Sequence, residues 1–389
     1  MFEFFKPGIF IDFMHKFRIF GTLSGAMIVA SIVSMATRGF NFGLDFAGGY
    51  EVTVKLPQAS DESHIKQAIA PVGVEDVRVQ RLGEQNGREF LILVRKQGTM
   101  TEKDKDAVKA DFEALAGGAD RLDGWTIAES GETMHVGFDH PVSPEQARQV
   151  VEKRGFKVAN VTRSEREDKP EYTIDLYSVG AQIQDALVKQ FGANPNDISV
   201  EFVGPQVGSQ LRNQGIMAVV YSLVFLLLYI AVRFDFYFSP GAIIATLHDV
   251  IIVLGVFSIF QIDFTLSTVA GILTLIGYSL NDTVVVYDRI RENVARLRGR
   301  ELRNLVSTSI SETLSRTILT SGVTLLVVIS LLVWGGRSLM DFSVCLLVGI
   351  TVGTYSSIAI AAPTYVILRE HYDRRVKAKA ARTNAAAAS

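Results

Sequence analysis

The sequence predicts a membrane all-α bundle of six helices that carries an external α+β region of two tandem ferredoxin-like (βαββαβ) units. The chain of 389 residues is 48% hydrophobic, with one cysteine and a formal net charge of −2. This charge gives no bulk attraction to nucleic acid, and one cysteine excludes an intramolecular disulfide. The fold prediction rests on six apolar runs, on a long polar stretch between the first two runs, and on a repeated order of strands and helices.

The six apolar runs are long enough to span a membrane, because a helix needs roughly 20 residues to cross ~30 Å of hydrocarbon. They cover residues 19–37, 213–232, 236–262, 264–281, 317–336 and 342–368. The first run also fits a signal peptide with small residues from Ser34 to Ala36, but an uncleaved span gives an even number of crossings. In the last run, Gly349 and Gly353 predict close helix packing, and Pro363 predicts a kink.

Basic residues in the short connections predict the orientation of the spans. Residues 288–304 hold six arginines and residues 369–382 hold six lysines or arginines, whereas residues 261–263 hold neither. Cytoplasmic loops carry such an excess of basic residues. We therefore expect both termini in the cytoplasm and the large polar region outside.

The polar region alternates between strands and helices, and the same order of elements occurs twice. The first set is strand 50–56, helix 62–70, strands 74–81 and 88–95, helix 101–116 and strand 125–128. The second set is strand 132–138, helix 144–153, strands 156–163 and 171–177, helix 179–191 and strand 198–203. Glu51 aligns with Glu132 and Glu89 with Glu171 at a nearly constant offset, which indicates a duplication. Two unrelated α+β modules also look alike at this level.

The predicted domains follow from these patterns. Residues 1–39 form the cytoplasmic N-terminus and the first span, and residues 40–130 and 131–209 form the two external units. Residues 210–369 contain spans two to six, and residues 370–389 form a cytoplasmic tail.

Four ionisable residues lie inside the apolar runs or at their inner ends: His248, Asp249, Asp282 and Arg316. At 1.5 Å per residue, His248 lies ~12 Å beyond Pro240 and Asp282 lies ~9 Å before Asp288, so we expect all four residues to share one layer. An ionisable side chain at mid-depth costs roughly 3 kcal/mol or more and is a functional-site hypothesis by default. For Asp282 two interpretations stay open: Ser279 and Asn281 satisfy it in a packing contact, or it binds or passes an ion.

Polar side chains recur at helical spacing along the fourth and fifth runs. On the fifth run they are Ser309, Thr313, Arg316, Thr320 and Thr324, and on the fourth they are Thr274, Tyr278 and Asn281. We expect a wet path between these two spans, on which the permanently charged Arg316 faces Asp282. Asp249 is the alternative proton carrier, because it lies in the same layer.

Five motifs point to a known family. They are GLDFAGG at 43–49, VEFVGPQVG at 200–208, the His248–Asp249 pair, GYSLNDTVVVYDRIREN at 277–293 and ETLSRTILTS at 312–321. The chain resembles the SecF family, the six-span subunits of the bacterial SecD–SecF protein-export complex, which are relatives of the resistance–nodulation–division transporters. Within these motifs we expect structural roles for Gly43, Asp45, Gly48, Gly49, Gly204, Pro205, Gly277 and Asn281.

The resemblance implies a subunit of the bacterial inner membrane, with its large domain in the periplasm, that uses proton flow to assist late preprotein translocation. It implies proton passage at Asp282 and Arg316. It implies SecD, the SecYEG channel, the preprotein and the lipid bilayer as partners, with YajC as a further candidate. A usual SecF holds one external unit where this chain is predicted to hold two, so the role of the extra unit stays open.

No cofactor, metal cluster or residue set for covalent chemistry is expected, and the chain is not predicted to be an enzyme. The alternative function is a half-transporter that exports a lipid or a small molecule, and a third is a passive scaffold for the channel. The sequence leaves open whether the coupling ion is H⁺ or Na⁺.

Overall fold

The computed structural model describes residues 10–74, 77–82, 87–95, 99–164, 170–233, 238–297 and 299–388. Residues 1–9 of the predicted first segment, residues 75–76 of a predicted strand and the start of the predicted third span at residue 236 lie outside these ranges. The helices are α1 (Phe17–Arg38), α2 (Leu44–Ala47), α3 (Glu62–Ile69), α4 (Glu102–Ala116), α5 (Pro144–Glu152), α6 (Val179–Phe191), α7 (Pro205–Arg233), α8 (Ser239–Phe260), α9 (Leu266–Arg296), α10 (Leu302–Trp334), α11 (Arg337–Ser356) and α12 (Ala362–Ala388).

The strands of the described residues are β1 (Asn41–Phe42), β2 (Gly49–Lys55), β3 (Val77–Leu82), β4 (Glu89–Val94), β5 (Leu122–Ile127), β6 (Thr133–Phe138), β7 (Val158–Arg163), β8 (Glu171–Leu176), β9 (Ile198–Val203) and β10 (Asp263–Phe264). The chain divides into two compact units, Met1–Asn41 with Gln214–Ser389, and Phe42–Asn213. The first unit is helical, and the second contains β2 to β9 with their helices.

Six stretches of the described helices are long and apolar enough to cross a membrane, which confirms the predicted number of spans. They are Met14–Arg38, Pro205–Arg233, Ser239–Phe260, Leu266–Arg296, Leu302–Trp334 and Arg337–Arg375. The helices extend beyond the apolar runs. For example, α9 continues to Arg296, about four turns past Asn281, so Asp282 lies in the middle of a helix.

Small residues bring the helices of the bundle close together. A Cβ atom on Gly349 would lie 2.6 Å from the Leu275 side chain, and one on Gly353 would lie 3.2 Å from Ser279. The small-residue face predicted on the last span therefore packs against α9. On the other side of the bundle, Gly255 of α8 leaves the space that Ser31 of α1 fills.

A π-helical turn, Ser357–Ala361, joins α11 to α12 directly before Pro363. Proline has no N–H group, so it cannot donate to the carbonyl four residues earlier, and the preceding turn is disturbed. The Tyr287 hydroxyl donates to the Ala361 carbonyl at 3.0 Å and satisfies one backbone group of this turn. The irregularity that the sequence predicts at Pro363 is thus a widened turn on its N-terminal side.

The second unit contains two four-stranded antiparallel sheets. The first sheet has the strand order β3-β4-β2-β9, and the second has the order β5-β6-β8-β7. Their strands and helices begin and end within three residues of the predicted bounds. The alternating burial along β2 and β8 follows from the pleat, which directs every second side chain into the core.

The predicted boundary between the external units, at residues 130 and 131, is wrong. Strand β5, assigned by the sequence to the first unit, pairs with β6 of the second sheet, and β9 pairs with β2 of the first. The preceding helices follow their strands. Val108 and Phe112 of α4 lie in the core of the second sheet, and Val179 and Ile183 of α6 lie in the core of the first. Each sheet thus takes its last helix and strand from the other predicted unit.

The sequence does not determine this exchange, because both pieces are a capped amphipathic helix followed by a six-residue strand. The tertiary contacts of the aromatic side chains determine it. The rings of Tyr50 and Phe202 lie 4.7 Å apart between β2 and β9, and Gly180 of α6 leaves room for the Val200 side chain of β9. In the second sheet, Phe112 of α4 contacts Trp125 of β5 with ring centroids 5.7 Å apart.

We expect a fragment of residues 99–177 to fold alone, and a fragment of residues 131–206 to remain unfolded. The first fragment contains all four strands of the second sheet and its whole core, from Met100 to Leu176. The second fragment lacks β5 and α4 and carries β9 without β2, so its apolar faces stay exposed to water. Circular dichroism during heating distinguishes the two. A cooperative transition in the 131–206 fragment alone would contradict the exchanged topology.

Candidate functional site: two carboxyl groups in the helical bundle

Asp249 lies in the middle of α8 and is fully buried, with 0% of its surface exposed. Its Oδ2 atom accepts hydrogen bonds from the hydroxyls of Ser279 on α9, at 2.6 Å, and Ser356 on α11, at 2.8 Å. Its Oδ1 atom lies 2.8 Å from Nδ1 of His248, which is also buried. The predicted neighbours His248 and Asp249 therefore form one site, and the carboxylate joins three helices.

Asp282 of α9 is 2% exposed and forms a second buried site. Its Oδ2 atom lies 3.1 Å from the Ser321 hydroxyl of α10 and 3.3 Å from the Thr354 hydroxyl of α11. Thr354 also lies 2.8 Å from Ser321. Because Thr354 has a single hydroxyl hydrogen, it can donate to Asp282 or to Ser321, but not to both at once.

The two carboxyl groups share the helices that hold them. On α9, Ser279 and Asp282 are three residues apart and lie on one face of the helix. On α11, Thr354 reaches Asp282 while Ser356 reaches Asp249. A shift of α11 against α9 would therefore alter the hydrogen bonds of both carboxyl groups together.

Arg316 does not meet Asp282. Arg316 is exposed on α10, and among the described residues no hydrogen bond or ion pair joins it to Asp282. The reason is helical phase. Ser321 faces Asp282, and five residues at 3.6 per turn put Arg316 about 140° away around the helix. The predicted face-to-face arrangement of Asp282 and Arg316 is absent within this chain, and the part of Arg316 in proton passage stays a prediction.

The polar stripe predicted on the fifth span divides into two parts. Ser309 and Thr313 are buried, whereas Thr320 is exposed beside Arg316 and donates to the Arg316 carbonyl at 3.0 Å. The hydroxyls that reach the carboxyl groups are those of Ser279, Ser321, Thr354 and Ser356. Ser279, which the sequence predicts as a partner of Asp282, donates to Asp249 instead, and the other three are not predicted from the sequence. These three hydroxyl residues lie three to five residues from other small residues, and this spacing could have predicted that they face a neighbouring helix.

Two of the family motifs, GLDFAGG at 43–49 and VEFVGPQVG at 200–208, meet at one end of the first sheet, where Gly49 of β2 pairs with Val203 of β9. Gly48 and Gly49 adopt φ values of +71° and +125°, and a Cβ on Gly48 would lie 3.1 Å from Pro205. Gly43 caps the short helix α2, whose first turn contains Asp45. These glycines therefore allow a tight turn and close backbone contact, as their pattern predicts.

Among the described residues, no packing contact explains the structural roles predicted for Gly277 and Asn281. A Cβ on Gly277 would meet no atom within 4 Å, and Asn281 is exposed on α9. Among the described residues, no three His, Cys, Asp or Glu side chains come together in a group that could hold a metal ion.

Ion pairs connect the helices at both ends of the bundle. At the arginine-rich end, Glu312 of α10 accepts from Arg289 at 2.7 Å and from Arg296 at 2.9 Å, both on α9. At the opposite end, Arg337 of α11 donates to Asp263 at 2.5 Å. The pairs of Glu312 therefore hold α9 against α10, whereas the pair of Arg337 joins α11 to β10, directly before α9.

Six membrane-capable helices around buried carboxyl groups, with an α+β region between the first two, define a multi-pass membrane protein. Residues 183–371 match the family model described as protein export membrane protein SecD/SecF, C-terminal, and residues 33–58 match the SecD/SecF GG motif. The chain is 40% identical to the protein translocase subunit SecF of Koribacter versatilis over 378 residues, which covers 92% of each chain. It is 34% identical to the SecF of Vibrio alginolyticus over 362 residues, with 93% and 91% covered.

The chain belongs to the SecF family of protein translocase subunits. Its structure is also similar to the crystal structure of SecDF, a translocon-associated membrane protein from Thermus thermophilus, with a TM-score of 0.62 and 26% identity. The similarity covers 93% of this chain and 39% of the SecDF chain, so this chain spans about two fifths of that protein's length.

We expect Ser279→Ala and Ser356→Ala each to lower the free energy of unfolding by about 1–3 kcal/mol, because each removes a donor from the buried Asp249 carboxylate. Ser343→Ala is the matched control. Ser343 is equally buried, but it donates at 2.7 Å to the Leu339 carbonyl of its own helix. Thermal unfolding in detergent measures all three variants. Equal destabilisation by the control would show that loss of any buried serine accounts for the effect.

Proposed function

We propose that this chain is an accessory subunit of the Sec translocon that uses the proton-motive force to assist late preprotein translocation across the bacterial inner membrane. The observation that carries this proposal is the environment of Asp282. Its described hydrogen bonds come from the hydroxyls of Ser321 and Thr354, which also contact each other. No cation contacts Asp282 among the described residues. Such a carboxyl group can gain and lose a proton without breaking an ion pair.

Proton movement supplies enough energy for work on the outer side. One elementary charge that moves through the membrane potential yields ~2.3 kcal/mol per 100 mV. Thr354 connects protonation of Asp282 to α11, because an ionised carboxylate attracts the Thr354 hydroxyl that otherwise serves Ser321. The proton would thereby change the contact between α9 and α11, which is also the contact that holds Asp249.

The exposed position of Arg316 on α10 indicates that a partner chain covers this face of the helix. Its neighbours on that face include the apolar Leu319 and Val323, which are exposed in this chain alone. An arginine that faces lipid costs roughly 2.5–3.5 kcal/mol, so this face is better matched to another protein than to the bilayer. We propose SecD as that partner, with a proton path completed between Arg316 and the partner's own polar groups. The similarity to SecDF, a longer chain, supports this assignment.

The remaining partners and the orientation are proposed on the same basis. The SecYEG channel, the preprotein and YajC follow from the family, and the arginine-rich end of the bundle would lie in the cytoplasm. The external unit would then lie in the periplasm. We also propose that each four-stranded sheet is a ferredoxin-like unit. In each, the order 4-1-3-2 results when the exchanged helix and strand are counted last.

The Asp282→Asn variant should lose the stimulation of export by a proton gradient, because asparagine keeps the size of the side chain but does not titrate. Preprotein translocation into inverted vesicles, with and without an imposed gradient, measures this effect. Asp288→Asn is the matched control, since Asp288 is exposed six residues further along α9. Arg316→Lys should be impaired but active, because lysine keeps the charge and loses the planar fork.

Normal gradient-stimulated export by Asp282→Asn, at parental protein levels, would refute the proposal. A second arm imposes a sodium gradient in place of the proton gradient. Stimulation by sodium alone, lost in the same variant, would identify Na⁺ as the coupling ion. Proton leak without any export effect would instead favour a half-transporter for another substrate.

Single cysteines should label from opposite sides of the membrane. Gln58 and Arg300 are exposed, whereas the natural Cys345 is buried and should stay unreactive. We expect an impermeant thiol reagent to modify Gln58→Cys in intact cells, and Arg300→Cys only in inverted vesicles. The reverse result would invert the proposed orientation.

A further inference from the structure

The imidazole of His248 is buried, with 2% of its surface exposed, at mid-length in α8. Its Nδ1 atom lies 2.8 Å from Asp249 Oδ1. Its Nε2 atom is buried and has no hydrogen-bond partner among the described residues. Nearly all buried polar atoms in folded proteins have a partner, so this nitrogen requires an explanation.

The charge of Asp249 determines which nitrogen carries the hydrogen. An ionised carboxylate only accepts, and Ser279 and Ser356 can then both donate to Oδ2. The Nδ1 atom of His248 then donates to Oδ1. In the neutral ring, Nε2 is consequently the unprotonated nitrogen, and its lone pair is directed into the bundle without a donor.

The groups around His248 are hydroxyls rather than charges. From α11, the ring of Tyr355 lies 6.4 Å from the imidazole between ring centroids. The Tyr355 hydroxyl lies 3.0 Å from Ser24 of α1 and donates to the Phe20 carbonyl at 3.0 Å. From α9, the nearest described polar group of the site is Ser279, which donates to Asp249.

Asp249 is thus the only charged group among the described contacts of this site, and Tyr355 is the only other titratable one.

The π-helical turn Ser357–Ala361 begins directly after Ser356. Turns of this kind occur frequently at functional sites.

We propose that Nε2 of His248 is a second proton-binding site of this chain, with Asp249 as its fixed counter-ion, separate from the site at Asp282. The step is balanced: one proton converts the neutral imidazole and the carboxylate into an imidazolium–carboxylate pair, and no other group changes. The inference deepens the proposed function, on which it rests, by assigning a second protonatable group to the bundle. It also gives the two carboxyl groups different roles, since Asp249 stays ionised while Asp282 exchanges its proton.

The ¹⁵N resonances of His248 test this proposal directly, without an export assay. The full chain contains six histidines. Replacement of the other five with glutamine leaves His248 as the only labelled ring, and these five lie outside the bundle core: His15, His64, His135, His140 and His371. In lipid nanodiscs, we expect the Nε2 resonance to move from the unprotonated to the protonated position as the pH is lowered, while Nδ1 stays protonated.

Two variants separate this site from the site at Asp282. Asp249→Asn removes the counter-ion, so the proton affinity of His248 should fall at least tenfold. If that variant does not fold, Ser279→Ala keeps the carboxylate with one donor fewer, and the imidazole should still titrate. Asp282→Asn leaves His248 and its counter-ion in place, so the imidazole should still bind a proton in this variant, even where gradient-stimulated export is abolished.

An Nε2 resonance that stays in one state between pH 4.5 and 8.5 would overturn the proposal. So would a titration that Asp249→Asn leaves unchanged. Neither result depends on whether export is coupled to protons, so failure here and failure of the proposed function are distinguishable.

Discussion

Asp249 is the polar group on which the packing of the helical bundle depends. Its carboxylate is completely buried and accepts hydrogen bonds from two other helices, through Ser279 and Ser356. A buried carboxylate without such donors is very costly, so the helices have to approach closely enough for short hydroxyl side chains to reach it. Gly353 permits this approach, because a Cβ there would lie 3.2 Å from Ser279 and 3.5 Å from Asp249 Oδ2. The small-residue face of α11 is therefore a consequence of the carboxylate.

Asp282 lies three residues from Ser279 on the same helix, yet its surroundings allow different chemistry. Asp249 contacts a histidine and two hydroxyls that do not contact each other, whereas Asp282 contacts two hydroxyls that do. Loss of charge at Asp249 would weaken the acceptor that the hydroxyls of two helices, α9 and α11, share. Loss of charge at Asp282 leaves Ser321 and Thr354 as partners for one another. This difference supports Asp282, rather than Asp249, as the group that exchanges protons during transport.

Hydropathy was sufficient to predict the spans, and side-chain alternation was sufficient to predict the strands of the external unit. The exchange of β5 and β9 could not be predicted, because each is an edge strand with the same pattern, and only contacts such as that of Tyr50 with Phe202 distinguish the two sheets. The carboxyl sites were found from their cost in an apolar run. Their partners depend on helical phase across three helices. Equal depth predicted that Arg316 faces Asp282, but Ser321, about 140° away around the same helix, occupies that position.

The second sheet also contacts the first turn of α7, and this contact explains part of the VEFVGPQVG motif. The carboxylate of Glu129, in the turn between β5 and β6, accepts a hydrogen bond from the backbone N–H of Gln206. The first N–H groups of a helix have no partner within it, and a negative charge there is stabilised by the helix dipole. Gly204 makes this possible, since a Cβ at that position would overlap the Glu129 side chain. Pro205 starts α7 without a donor of its own, so the N–H group of Gln206 is the first in the helix that needs a partner, and Glu129 supplies it.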